Sequence, residues 1–155
     1  MTGLTHLDES GAARMVDVTG KPATVRSATA RGRVTTTSEV VRLLRGGGVP
    51  KGDAIAVARI AGIQAAKRTS ELVPLCHPVA VHSVEVGVEV RDDAVEITAT
   101  VRTADRTGVE MEALTAVTVA ALSMVDMIKA VDRRATITDV RVTAKSGGRS
   151  GTWLR

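Results

Sequence analysis

Asp126 and Lys129 stand three residues apart in the run Met124-Val125-Asp126-Met127-Ile128-Lys129-Ala130-Val131. On a helix that spacing makes the two side chains neighbours. The plain reading is a surface ion pair, which contributes little. The apolar residues on either side weaken that reading slightly, because a partly buried pair would have shifted pKa values and could do acid–base work. Lys51, in Pro50-Lys51-Gly52-Asp53, precedes a helical stretch. A cation beside free backbone amides there could hold an anion or simply be solvated. Its spacing is not that of the phosphate loop. Leu75-Cys76-His77-Pro78 sets a thiol beside an imidazole. Adjacent Cys and His do not make a zinc site, and the chain has no second cysteine. A lone buried cysteine is ordinarily inert packing, whereas His77, between apolar neighbours and a proline, could be positioned in a pocket. Glu110 and Glu112 open a helix, where acids complement the dipole. They point in different directions, so spacing alone does not make them an acid–base dyad. Residues 145–151 offer Lys145 and Arg149 with three glycines and two serines. Such a segment is either a phosphate-binding strap or a disordered tail.

These residues need elements to position them. Residues 1–23, with Gly11, Gly20 and Pro22, read as an extended arm. Residues 25–37 are Thr- and Val-rich, with Ala28, Ala30, Gly32 and Val34 on one face of a strand. Ser38 is placed to cap a short helix over 39–45, which Gly46-Gly47-Gly48 stops. Asp53 caps a longer helix running to about residue 68, and residues 69–78, broken by Pro74 and Pro78, read as a loop. A hairpin follows. Val84, Val86, Val88 and Val90 share one face, Asp92-Asp93 turns the chain, and Val95, Ile97, Ala99 and Val101 face inward on the return. A long helix over 110–132 carries the stripe Ala113, Val117, Ala120, Met124 and Ile128. A last strand covers 136–144, and 145–155 is a Gly-rich basic tail. The order strand, helices, strand, strand, helix, strand predicts an α+β, ferredoxin-like fold, an antiparallel sheet with helices on one face, in one domain over 1–155.

Composition bounds the function. The 155 residues suffice for one domain with its own core, and 44% of them are apolar. No Phe or Tyr is present and there is one Trp. The core must therefore be built from small and aliphatic side chains, each burying less area than an aromatic. Burial between subunits would make up the shortfall, so an oligomer is expected. No run of apolar residues reads as a membrane span, the first residues lack the order of a signal peptide, and a cytoplasmic location follows as the expectation. One cysteine excludes an internal disulfide. The net charge of +4 suits phosphates of any kind, nucleic acid included.

Several segments together are far more specific than any one. They are Leu4-Thr5-His6, Met15-Val16-Asp17-Val18, Lys51-Gly52-Asp53, the run from Ala58 to Thr69, Pro74-Leu75-Cys76-His77-Pro78, the run from Thr107 to Thr115, Asp126-Met127 with Lys129-Ala130-Val131, and Lys145-Ser146-Gly147-Gly148. In these the chain resembles the cyclic pyranopterin monophosphate synthase family of molybdenum-cofactor biosynthesis. The resemblance implies a nucleotide-derived substrate, 3',8-cyclo-7,8-dihydro-GTP. Its purine and ribose are rebuilt into a pyranopterin, with closure of a cyclic phosphate and release of pyrophosphate. By the resemblance, Asp126 takes the catalytic acid position, with Lys51 and Lys129 beside it. Leu75, Cys76 and His77 match one substrate-binding segment, and Met111 and Glu112 the other. Arg26, Lys145 and Arg149 match the cations near the triphosphate. The family commonly has Lys where this chain has Arg149, which keeps the charge but offers a rigid fork. The resemblance also implies a ferredoxin-like hexamer, a trimer of dimers with sites at subunit interfaces. If Lys51 and Asp126 met across such an interface, two variants inactive at these positions would complement. No cofactor or metal is required, although Mg2+ can accompany a triphosphate, and neither nucleic acid nor membrane is an expected partner.

Two other readings compete. A basic ferredoxin-like module can present its sheet to single-stranded RNA, but such sheets stack bases on aromatics that this chain lacks. A non-catalytic relative of the enzyme would have little reason to keep Lys51, Asp126 and Lys129 together.

Overall fold

The computed structural model describes residues 5–155, so Leu4 and the start of the arm lie outside the described residues. Alternation of small and polar residues produces β1 (Thr24–Thr35), in which Ala28, Ala30, Gly32 and Val34 are buried as their period-two spacing predicts. Helix α1 (Ser38–Gly46) follows; its cap is Thr37, whose hydroxyl accepts from the Val40 amide, so Ser38 is already inside the first turn. Gly47, at φ 70°, closes the helix in the left-handed conformation that glycine adopts without cost to a Cβ. Asp53 caps α2 (Ala54–Ala66) by accepting from the Ala56 amide at 2.9 Å. The segment expected to be wholly loop contains one helical turn, α3 (Thr69–Leu72), anchored by the buried Thr69 hydroxyl donating to the Ala66 carbonyl.

The hairpin pairs β2 (Val81–Val90) with β3 (Ala94–Asp105), and its return strand is longer than the valine pattern alone indicates. Helix α4 (Glu110–Ile128) buries the expected Ala113, Val117, Ala120, Met124 and Ile128. It ends four residues early because Asp132 leaves the helix to bind elsewhere. One carboxylate oxygen of Asp132 accepts from the Thr36 hydroxyl and the other from the Arg134 amide. Strand β4 (Thr136–Ser146) extends through Lys145, and a short β5 (Trp153–Leu154) pairs back onto it.

The sheet order is β2-β3-β1-β4-β5 with every neighbouring pair antiparallel. Together with helices α2 and α4 over the same face, that is the ferredoxin-like α+β arrangement. By length and composition alone α4 is long and apolar enough to cross a membrane, whereas no run of the sequence was expected to be. Its apolarity has a local use. It lies across β1, β3 and β4 and against α2, as the central helix of the core.

Small residues let these layers approach closely. A Cβ added at Gly62 in α2 would lie 3.0 Å from the Ala116 carbonyl oxygen and 3.2 Å from both Ala120 Cβ and Val86 Cγ2. Gly62→Val should therefore force α2 off α4 and destabilise the fold by about 1–3 kcal/mol. Chemical denaturation checks this, and an unchanged midpoint would show that the interface can yield.

Candidate active site

Two groups of the expected residues lie at opposite ends of α4. At its C-terminal end, Asp126 projects outward and is gripped from two sides. Lys51 Nζ, from the turn before α2, lies 3.1 Å from each carboxylate oxygen, and Lys129 Nζ, one turn on, lies 2.6 Å from Oδ1. The turn is set by the Gly52 amide donating to the Val49 carbonyl, with Gly52 at φ 107°. Partial burial was the reason to favour chemistry here, and the geometry corrects it. Asp126, Lys51 and Lys129 have side chains 53%, 42% and 56% exposed. The carboxyl is held below the ordinary carboxylate range chiefly by the Lys129 and then the Lys51 hydrogen bonds, not by burial. Asp126 is therefore a carboxylate at neutral pH. Lys51 and Asp126 meet within one chain, so the condition for complementation between variants at these two positions is not met.

At the N-terminal end of α4, Leu75, Cys76 and His77 face Met111 and Glu112 across a cleft of about 540 Å3. His77 Nε2 lies 2.5 Å from the Val16 carbonyl oxygen, which pins the arm beside the cleft. The arm itself is not simply extended, because Leu7 and Ala13 form a β-bridge around a turn held by the Asp8 carboxylate. Burial, then the nearby Glu112, push the Cys76 thiol up, so it stays protonated and is not a nucleophile at neutral pH.

Glu112 is only 4% exposed, and desolvation raises its pKa, with the Glu110 charge adding to it. The folded state therefore holds the Glu112 proton to higher pH than the unfolded chain does. Its presence costs stability as pH rises above the unfolded value of about 4.5, and costs nothing below it. Glu112→Gln should accordingly raise the thermal midpoint at neutral pH, with the gain vanishing below pH 4.5. Parallel melts at the two pH values check this; a gain equal at both would mean that ionisation is not the cause.

The cations expected near phosphate are ordered, not carried on a loose tail. Lys145 lies in β4 directly opposite Ala28 of β1, so it points to the helix-bearing face. There it meets Glu110 Oε1 at 2.5 Å, each side chain about one quarter exposed. Arg26, two residues before Ala28, shares that strand face, and its Nε donates to the Asp105 carbonyl at 3.0 Å. Arg149 joins Arg26 and Lys21 around a second hollow of about 270 Å3. Gly147 and Gly148, at φ 85° and 74°, turn the chain tightly enough that a Cβ on either would collide with Val25 or Arg26. Of the two readings of residues 145–151, this turn and the β4–β5 pairing favour a strap. Two cleft residues had been passed over. Glu110, credited only with helix-dipole complementarity, is the partner of Lys145, and Trp153 stands at the cleft as the one aromatic of the chain. Among the described residues no three His, Cys, Asp or Glu side chains converge to hold a metal.

Residues 15–148 match the MoaC family. The chain is 69% identical over 152 residues to the cyclic pyranopterin monophosphate synthase of Streptomyces coelicolor, covering 98% of this chain and 89% of that one. It is 65% identical to the protein of that name from Nocardioides sp., over 98% of this chain and 95% of that one. With the Thermomicrobium roseum protein of the same name, identity is 60%, over 100% and 95%. With this likeness running through both ends of α4 and both hollows, the chain belongs to the MoaC family.

Proposed function

We propose that this chain is a cyclic pyranopterin monophosphate synthase of molybdenum-cofactor biosynthesis, converting 3',8-cyclo-7,8-dihydro-GTP to cyclic pyranopterin monophosphate and pyrophosphate. The observation that carries the chemistry is one carboxylate held by two lysines from separate elements. Opening and reclosing heterocyclic rings requires proton transfers at several atoms. Lys51 and Lys129 supply them, and Asp126, held as a carboxylate by its lysine partners, orients the two amino groups. Leu75, Cys76, His77, Met111 and Glu112 receive the heterocycle. Arg26, Lys145 and Arg149 take the triphosphate and stabilise the pyrophosphate that leaves as the cyclic phosphate closes, a phosphorus–oxygen lyase step. A triphosphate can bring its own Mg2+, and no resident metal is part of the proposal.

One chain does not assemble this site. Met111 and Asp126 are 15 residues apart on a helix rising about 1.5 Å per residue, so the two halves are separated by about 22 Å. Proton transfer requires hydrogen-bond reach, about 3 Å. We therefore place the Lys51–Asp126–Lys129 cluster of one copy against the cleft of another, in a closed homo-oligomer, with a trimer of dimers as the proposed form and the cytoplasm as its location. Val57, Ile60 and Leu122 are exposed apolar side chains on α2 and α4, consistent with further burial between copies. The RNA-binding reading is not favoured: the sheet face away from the helices presents Thr, Arg and Glu side chains and no aromatic on which a base could stack. Incubating the purified chain with the cyclic dihydro-GTP tests the proposal. Equimolar pyranopterin product and pyrophosphate are expected, and intact substrate after prolonged incubation with folded protein would refute it.

A further inference from the structure

We propose that Trp153 is a substrate-contacting residue whose indole stacks on the heterocycle of the bound ligand while the adjacent Lys145 takes its phosphate; this rests on the function proposed above. The chain has one aromatic residue in 155 and does not spend it on the core, which is built from Ala, Val, Ile and Met. Trp153 instead stands 42% exposed at the cleft that Cys76, His77, Met111 and Glu112 line. Its placement is specific. In the antiparallel pair β4–β5, Lys145 and Trp153 are directly opposite, so their side chains leave the same face of the sheet a few ångströms apart. Lys145 points into the cleft toward Glu110, and the indole therefore borders the same space.

The ring is also held. The Arg155 guanidinium lies 5.7 Å from its centroid, over one face. Arg155 is itself fixed, its backbone amide donating to the Thr143 carbonyl at 2.9 Å and its Nε to the Val142 carbonyl at 3.1 Å. One face of the indole is thus covered by a cation anchored to β4, which leaves the other for a flat ligand. A π face and an ammonium side by side fit a phosphorylated heteroaromatic ring better than a free phosphate or an uncharged base. Base–aromatic stacking of this kind changes affinity on the order of tenfold or more. Lys145 is held by Glu110 without ligand, so the incoming phosphate competes with that carboxylate.

Because Trp153 is the sole tryptophan, the intrinsic fluorescence of the full chain reports on this ring alone. Titration with GTP should give a saturable change in emission. Guanosine should give the same change with weaker binding, and inorganic tripolyphosphate should bind with little change. Saturable GTP binding seen by calorimetry with emission unmoved would overturn the proposal. Trp153→Leu should raise KM for the cyclic dihydro-GTP about tenfold with kcat within about twofold, and Trp153→Phe should restore most of the loss. Equal loss in both variants, or none in Trp153→Leu, would refute stacking. If the unaltered chain forms no pyranopterin, the assigned function fails by itself, and the GTP and guanosine titrations still judge the ring.

Discussion

Lys51→Ala and His77→Ala, each inactive alone, should recover about one quarter of the unaltered activity when unfolded together and co-assembled in equal amounts. The fraction follows from the geometry. Lys51 belongs to the cluster at one end of α4 and His77 to the cleft at the other, about 22 Å away by helix rise. If a working site takes its cluster from one copy and its cleft from another, random mixing makes one site in about four from two intact halves. The control is the pair Lys51→Ala with Asp126→Asn. These residues touch within one chain, so every mixed site keeps a damaged cluster and no activity should return. Recovery in neither pair would mean that one chain builds its own site. Recovery in the control would place Lys51 and Asp126 in different halves, against the geometry described above.

Much of this arrangement was legible in the residue pattern, because the layers obey simple periods. Valines at every second position placed the β2–β3 hairpin, and a three-to-four spacing placed the buried stripe of α4. The strand and helix order then left few ways to close the sheet. What was missed depended on contacts distant in sequence. Glu110 looked like a helix-dipole residue because its partner, Lys145, lies 35 positions away on another element. The tail could be read either as a strap or as disordered because its composition is that of a linker. Its order comes from pairing with β4 and from two glycines that fit against Val25 and Arg26, neither visible locally. The exposure of Asp126 was misjudged for a related reason. Its apolar neighbours in sequence face the core, while its own position on α4 faces outward. Residues one or two apart on a helix do not face each other, so adjacency in the chain says little about a shared environment. The roles given to the site residues came from the resemblance; the geometry adds which of them touch.

Lys51→Ala and Lys129→Ala should each lower the rate of pyranopterin formation by about 10²–10⁴-fold, the range expected when one positioned acid–base group is removed. Both substitutions act on exposed ion pairs, which contribute little to folding, so thermal midpoint and assembly should be unchanged. The two are not equivalent. Lys129 makes the shorter contact to Asp126 and is the first cause of its lowered pKa, with Lys51 second. In Lys129→Ala the carboxyl titration of Asp126 should therefore move up toward 3.8, its ordinary value, and by more than in Lys51→Ala. Carboxyl-carbon NMR of the two variants reads this directly, independently of turnover. Asp126→Asn keeps the shape of the side chain but removes the charge that draws both ammonium groups together. If Asp126 orients the lysines, this variant should lose kcat with KM little changed, since the residues that receive the heterocycle, Leu75, Cys76, His77, Met111 and Glu112, are left intact. Near-normal turnover in both lysine variants, with the titration shifts present, would leave the cluster as a surface ion-pair network and move the proton transfers to the cleft.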